Sequence, residues 1–288
     1  MTYQLLLGDY AYSSWSLRGW LLFEKFGISR DQTMVDFSDL SVAEQLVKFA
    51  PARTVPTMIT PEGAVVSDSL SIAEELASRH PEAGLWPTDI KARATARTLA
   101  AEMHSGFTAL RSDCPMNLRI SYQDAAPSDS VLEDLARIEA IWSHARETTK
   151  PEGPWLCGDY SVADAMFAPV AARIAGYNLP VGSAANDYVA AHLTDPAFRR
   201  WRAMGMVHGA TLPWYAKEFD TRPWPGPKPL DAQAVETGTS ENTECPYSGK
   251  PVTHLMQLNG RTFGMCNAFC RDKTVADPEA WPAFTALL

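Results

Sequence analysis

Two stretches of this 288-residue sequence carry side chains whose types and spacing could do chemistry. The first is Tyr12-Ser13-Ser14-Trp15-Ser16-Leu17-Arg18, where three serines crowd the start of an apolar-periodic segment, Leu17 to Phe26, that stops at Gly27. The first-turn amides of a helix lack internal partners and carry partial positive charge, so a serine hydroxyl there can donate to an anion held beside it. An ordinary serine N-cap would use the same atoms. The second stretch is Cys245-x8-His254-x11-Cys266-x3-Cys270, four soft or borderline ligands near the end of the chain. Zn2+ takes Cys3His sets in closed tetrahedral sites, and so short a segment buries too little surface to hold a fold without a staple. A redox thiol pair at Cys266 and Cys270 is the competing use. The other two cysteines, Cys114 and Cys157, stand alone.

The totals restrict what surrounds these groups. A hydrophobic content of 46% with 9 Trp, 9 Tyr and 11 Phe is ample for packed cores, and the length allows two domains. The formal charge of -9 argues against a nucleic-acid surface or a basic membrane patch, both of which need clustered Lys and Arg. The first apolar run is short and lacks a basic flank, so neither a signal peptide nor a membrane span is expected, and the expected compartment is the cytoplasm.

The elements that must position the serines follow from periodicity. Tyr3 to Leu7 reads as a strand, Leu17 to Phe26 as a helix, Thr33 to Phe37 as a second strand and Ser41 to Phe49 as a helix. Pro56 opens the run Thr57 to Ile59, which marks a strand edge or a special turn, because proline cannot donate a ladder hydrogen bond. Val65-Val66 reads as a further strand, and Asp68-Ser69 opens a helix from Leu70 to Ser78. Past His80-Pro81 only helices are expected. Leu99, Met103, Phe107 and Leu110 mark one face of a long helix from about Asp89, and Val131, Leu135, Ile138, Trp142 and Ala145 mark another, with Ser130 and Glu133 spaced as a capping box. Ser161 and Asp164 are spaced as a cap for a nearly wholly apolar helix through Ala175, expected at the domain centre, and Asp195-Pro196 is an N-cap followed by proline at the first helical position. The expected organisation is residues 1–84, 85–220, a proline-rich and polar linker over 221–244, and a metal-stapled module over 245–288.

In combination these features resemble the glutathione S-transferases over roughly residues 1 to 220. The β-α-β-α-β-β-α order, the serine at the first helix start, Val55-Pro56-Thr57 and the pair Asp68-Ser69 are similar to that family's thioredoxin-like domain. Gly158-Asp159-Tyr160-Ser161-Val162-Ala163-Asp164 resembles its capping-box motif in the all-helical domain that follows. The string Ser13-Ser14-Trp15-Ser16-Leu17-Arg18 looks most like the zeta class motif Ser-Ser-Cys-Ser-Trp-Arg, with Trp15 where that class has cysteine.

The resemblance implies a glutathione transferase, homodimeric, that takes glutathione and a small electrophile. Ser13 would fall on the family's catalytic serine, with Ser14 as the alternative donor to the thiolate. It further implies a cis proline at Pro56, Val55 pairing its backbone with the cysteinyl group, Asp68 and Ser69 holding the γ-glutamyl end, and Arg53 reaching the glycyl carboxylate. The electrophile would sit between the domains near Met103, His104, Phe107 and Arg111, with Met116 and Asn117 also in reach. Two other readings are a glutathione-dependent isomerase, reductase or peroxidase, and a non-catalytic scaffold in which a zinc module contacts a partner. Gly260 to Cys266, with Cys270-Arg271-Asp272-Lys273 beyond, resembles YHS/TRASH-like treble-clef modules, which implies structural Zn2+ on Cys245, Cys266, Cys270 and, because Ser248 stands where a second knuckle cysteine is expected, His254.

Overall fold

The computed structural model describes residues 2–38 and 40–288. Strand β1 (Tyr3–Leu7) is apolar at Leu5, Leu6 and Leu7, all fully buried, and forms the inner part of a four-stranded sheet. Helix α1 (Ser14–Glu24) leads to β2 (Arg30–Met34), which pairs parallel with β1. A short helix α2 (Val42–Gln45), closed by a Ser41/Glu44 capping box, precedes β3 (Thr57–Ile59) and β4 (Val65–Ser67), and α3 (Ser69–Arg79) follows. The strand order is β2-β1-β3-β4, with the last two pairings antiparallel. This is a thioredoxin-like sheet-and-helix domain.

A helical domain follows, built from α4 (Ile90–Ser105), α5 (Thr108–Asp113), α6 (Asp129–Thr149), α7 (Val162–Tyr177), α8 (Ser183–Thr194) and α9 (Pro196–Val207). Every residue of α7 is buried, so the apolar run that marks it in the sequence does lie at the centre. Its start is held by Asp164: Oδ2 accepts from the Ser161 amide at 2.9 Å and Oγ at 3.0 Å, while Oδ1 accepts from the Leu156 amide at 3.2 Å and the Tyr188 hydroxyl at 2.8 Å. Asp195 caps α9 through the Ala197 and Phe198 amides, with Pro196 at the first helical position.

Four expectations from the sequence need correction. Helix α1 begins at Ser14, three residues before Leu17, because Ser13 caps it. The face expected to run through Leu99, Met103, Phe107 and Leu110 is broken: α4 ends at Ser105, Gly106 turns extended, and Phe107 at φ 57° starts α5. A Cβ at Gly106 would lie 2.8 Å from the Glu102 carbonyl oxygen, so only glycine fits this exit. Helix α6 is capped by Ser128, not Ser130. Residues 221–244 are more than a linker. Strand β6 (Thr221–Arg222) pairs with β5 (Ser121–Tyr122) of the helical domain, and β7 (Ala232–Val235) joins the C-terminal sheet.

That sheet is antiparallel in the order β7-β8-β9, with β8 at His254–Leu258 and β9 at Arg261–Met265. It carries α10 (Ala268–Ala276) and α11 (Pro282–Thr285). The module packs through α10 on α9, where Arg199 makes a two-toothed ion pair with buried Asp277 at 2.8 and 2.6 Å. Among the described residues no helix is long and apolar enough to cross a membrane.

Replacing Asp164 by Ala leaves the buried Leu156 and Ser161 amides and the Tyr188 hydroxyl without their acceptor. At about 1–3 kcal/mol for each orphaned donor, the expected loss is roughly 3–5 kcal/mol, read as a lower urea midpoint with an unchanged slope.

Candidate functional site

A cavity of about 620 Å³ opens between the sheet domain and the helical domain. One wall is the first turn of α1 with the loop before it, Tyr12 to Trp15; another is Arg53, Thr54, Val55 and Pro56, leading into β3. Asp68 from the α3 start, His104, Arg111, Met116, Arg173 and Tyr215 complete it. Gly19 sets how closely α1 approaches the second wall, since a Cβ there would meet the Pro56 Cβ at 2.6 Å. The Val55–Pro56 bond is cis.

The two adjacent serines do different work. Ser13 is buried and caps α1: its Oγ accepts from the Ser16 amide at 3.3 Å and donates to Ser16 Oγ at 2.8 Å. Ser16 Oγ in turn accepts from the Gly8 amide at 2.8 Å, which ties the cap to the end of β1. Ser14 is half-buried, and its Oγ accepts from Arg173 Nη2 at 3.3 Å. A hydroxyl that accepts from a guanidinium keeps its own proton free to donate, and the adjacent cation favours a negative partner.

Arg173 projects from the apolar helix α7 and is itself buried. Its Nε donates to the Cys114 carbonyl at 2.9 Å and Nη1 to the Pro169 carbonyl at 3.2 Å. Burial, with the Arg111 charge adding to it, lowers the guanidinium to about 10, so it stays cationic at neutral pH. Arg18 is also buried and pushed down by burial, Arg173 and Arg111; its Nε donates to the Met166 carbonyl at 3.0 Å, but its Nη1 has no partner among the described residues. The guanidinium groups of Arg18 and Arg111 both lie over the Trp15 ring, at 4.5 and 4.7 Å from its centre. Burial lowers Arg111 as well, and no carboxylate is among the causes acting on any of the three. One side of the cavity is therefore a cationic wall braced on an indole.

The opposite sign is supplied at the α3 start. Asp68 caps that helix, its Oδ1 accepting from the Leu70 and Ser71 amides at 2.9 and 3.0 Å, while Oδ2 faces His104 Nε2 at 3.5 Å. Ser69, expected beside it, is fully buried with its Oγ 3.7 Å from Met166 Sδ and lies outside the cavity lining. His104 and Arg111 line the cavity, whereas Met103 and Phe107 are core residues outside its lining, a consequence of the helix break at Gly106. Met116 lines it; Asn117 instead accepts the Arg119 amide with its side chain.

Arg173 and Tyr215 are among the lining residues that were not expected. Arg173 had a signal, as the lone charge in the run Ala165 to Ala175. Tyr215 had none, because folding brings it from a distant position to Tyr12 of the serine stretch: their rings lie 4.7 Å apart, and Tyr12 Oη accepts from the Leu212 amide at 3.2 Å. Arg119 pins the segment between them by donating to the carbonyls of Gly205, His208, Gly209 and Ala210.

The second expected cluster also assembles, but with three members. The Sγ atoms of Cys245, Cys266 and Cys270 all lie within 4.8 Å of one another. Cys245 sits in a knuckle turn in which the Ser248 and Gly249 amides donate to its carbonyl, and Cys266 and Cys270 flank the α10 cap Asn267. His254 is not in the group, and its Nδ1 is instead 2.9 Å from Thr253 Oγ1. Burial raises the Cys245 thiol, and donors led by the Tyr247 and Cys266 amides outweigh this and bring it to about 7. Buried Lys273 lies near enough to the Cys270 and Cys245 thiolates to feel their charge. Three converging sulfurs with a buried cation alongside suit a soft or borderline divalent metal.

Comparison with known proteins agrees with this architecture. The family model described as the glutathione S-transferase N-terminal domain matches residues 12–79. A probable maleylacetoacetate isomerase from Caenorhabditis elegans is 26% identical over 179 residues, 60% of this chain and 80% of that protein. Among solved structures, a glutathione transferase homologue from Burkholderia with bound glutathione superposes with a TM-score of 0.52 at 22% identity, covering 70% of this chain and 96% of the other. An unclassified glutathione S-transferase from Bombyx mori gives 0.56 at 18% identity, covering 72% and 96%. Residues 12–79 therefore match the glutathione S-transferase N-terminal domain in sequence, and the two-domain fold is that of the glutathione transferases.

Proposed function

We propose that this protein is a glutathione-dependent enzyme that holds the tripeptide as a thiolate on Ser14 and directs it at a small electrophile carrying a carboxylate. The observation that carries the reading is the division of labour between the serines: Ser13 is spent on the α1 cap, while Ser14 accepts from Arg173 and keeps a proton to donate. A thiol bound there loses its proton to water more readily, since a hydroxyl donor, a helix N-terminus and a nearby guanidinium all favour sulfur as the anion. Val55 would pair its backbone with the cysteinyl unit, Asp68 with the γ-glutamyl ammonium, the Ser69 amide with the γ-glutamyl carboxylate, and Arg53 with the glycyl carboxylate.

The cationic wall sets the electrophile class. Arg111 and Arg173 line the cavity and, among the described residues, neither forms an ion pair, while the buried Arg18 Nη1 has no partner among them. An anionic group on the substrate would supply what the protein does not. In conjugation, the sulfur–carbon bond forms as the leaving group departs with its electron pair. In isomerisation, the thiolate adds to a conjugated double bond, the new single bond rotates, and the thiolate is expelled unchanged. The likeness to a probable maleylacetoacetate isomerase favours giving this second route equal weight.

Further parts of the reading are a zinc ion on the C-terminal cysteine cluster, a homodimer, as the family resemblance implies, and a cytoplasmic location, which suits five free thiols.

Ser14→Ala is expected to cut kcat/KM by about 10²-fold and to raise the bound thiol's pKa, read by thiolate ultraviolet absorbance. Ser13→Ala is expected to cost about 1 kcal/mol of stability and to leave that absorbance largely in place. The reverse pattern would move the thiolate donor to Ser13, and absence of glutathione binding in the unmodified protein would overturn the enzymatic reading.

Arg111→Ala is expected to raise KM about tenfold for a carboxylated electrophile and hardly at all for a neutral one of the same shape. Equal effects on the two would remove the assigned substrate class.

A further inference from the structure

The C-terminal cluster leaves one ligand position of a tetrahedron unassigned, and a side chain already stands there. Ser248 lies two residues beyond Cys245 in the spacing Cys-x2-Ser, on the knuckle whose amides converge on the Cys245 carbonyl at 3.3 Å (Ser248) and 2.9 Å (Gly249). That turn holds residues 245 and 248 on one short loop beside the cluster. Ser248 Oγ donates to Cys266 Sγ at 3.2 Å, and Cys266 and Cys270 sulfurs are 4.0 Å apart. Around a tetrahedral zinc with bonds of about 2.3 Å to sulfur and about 2.1 Å to oxygen, sulfurs lie about 3.8 Å apart and sulfur to oxygen about 3.6 Å. The Ser248–Cys266 and Cys266–Cys270 spacings differ from those by a few tenths of an ångström, and Cys245 Sγ lies within 4.8 Å of the other two sulfurs.

We propose that Ser248 Oγ, not His254, closes the metal site, making it a three-thiolate, one-oxygen centre. This rests on the zinc reading above and adds its fourth ligand. The centre is asymmetric in its exposure: Cys245 is buried, Cys266 and Cys270 are half-buried, and Ser248 and its neighbour Asn267 face solvent. The oxygen vertex is thus the outward one. A neutral hydroxyl is a weaker zinc ligand than a thiolate, so the protein builds its grip on the metal from the three sulfurs and leaves the outer vertex the most easily replaced. His254 is engaged elsewhere, with Thr253, whose Oγ1 also donates to the Cys266 carbonyl at 2.8 Å.

The test uses the full-length protein loaded with zinc, or with cobalt(II) as a coloured probe. One metal per chain is expected, with cobalt absorbance in the thiolate charge-transfer region set by three sulfurs. Ser248→Cys is expected to raise that absorbance by about one third, as a fourth thiolate joins three, and to tighten zinc binding. Ser248→Ala is expected to weaken zinc about tenfold, and His254→Ala to leave affinity and spectrum unchanged. If His254→Ala weakens zinc while Ser248→Ala does not, the oxygen assignment falls and the zinc site stands. If the unmodified protein binds neither metal, the zinc reading itself falls.

Discussion

A guanidinium buried inside an apolar helix is costly unless every part of it is satisfied, and the arrangement of this site depends on how Arg173 meets that requirement. Its three hydrogen bonds go to three different segments: the Cys114 carbonyl beyond α5, the Pro169 carbonyl one turn back on α7, and Ser14 Oγ on α1 of the other domain. The third bond couples the domains at the point where chemistry is expected. Because α7 is buried along its whole length, Arg173 cannot swing out to solvent, and Ser14 is held against a fixed charge. The contact that polarises the serine is thus one of those joining the two domains, beside the packing of α1 on α7 and the bond from Arg18 to the Met166 carbonyl.

The same logic explains why the wall is made of arginines and an indole. Arg18 and Arg111 both lie over the Trp15 ring, and cation–π contact offsets part of the repulsion between like charges. The His104 ring meets Trp15 edge-on at 5.4 Å and reaches Asp68 from its other end, so the cationic wall and the acidic α3 cap are bridged by one side chain. A tryptophan at this position thus does structural work that the cysteine of the zeta motif could not. Tyr215 closes the cavity from the far side only because Arg119 and Tyr12 hold the segment following α9 in place.

Much of the fold was legible because it is written in local signals. The apolar β1, the proline before β3, Asp68 at the start of α3, the Ser161/Asp164 box and Asp195-Pro196 each act within a few residues. What was not legible depends on distant partners. Arg173 read as part of a core helix, though its lone charge in that run was a usable warning. The Tyr12–Tyr215 contact joins opposite ends of the main fold and has no periodic trace. Helical spacing across Leu99, Met103, Phe107 and Leu110 did mark buried residues, but it hid the break at Gly106 that divides them between α4 and α5, and it marked core at Met103 and Phe107, not cavity lining. Ala232–Val235 looked structureless since a short edge strand is defined by the strand it pairs with, here β8. Ser248 was read as a missing cysteine, when its hydroxyl stands within reach of Cys266.

The C-terminal module is joined to the enzyme fold at a place that connects it with the site through one helix. Arg200 on α9 donates both to Glu24 Oε1, the last residue of α1, and to the Ala280 carbonyl of the module. Glu24 also holds Arg30 of β2, so one carboxylate gathers α1, α9 and the sheet. Phe269, between Cys266 and Cys270, stacks on Tyr10 at 6.5 Å, just before the serine stretch. Helix α1 is consequently braced at its C-terminal end and beside its N-terminal end by contacts that lead into the same module. The first turn, where Ser13 caps and Ser14 faces the cavity, needs such bracing, because a donor displaced by even an ångström loses most of its advantage in stabilising an anion. A C-terminal segment whose Met256, Leu258, Phe263, Met265 and Phe284 are buried in the same core as the helical domain is a compact way to supply that rigidity.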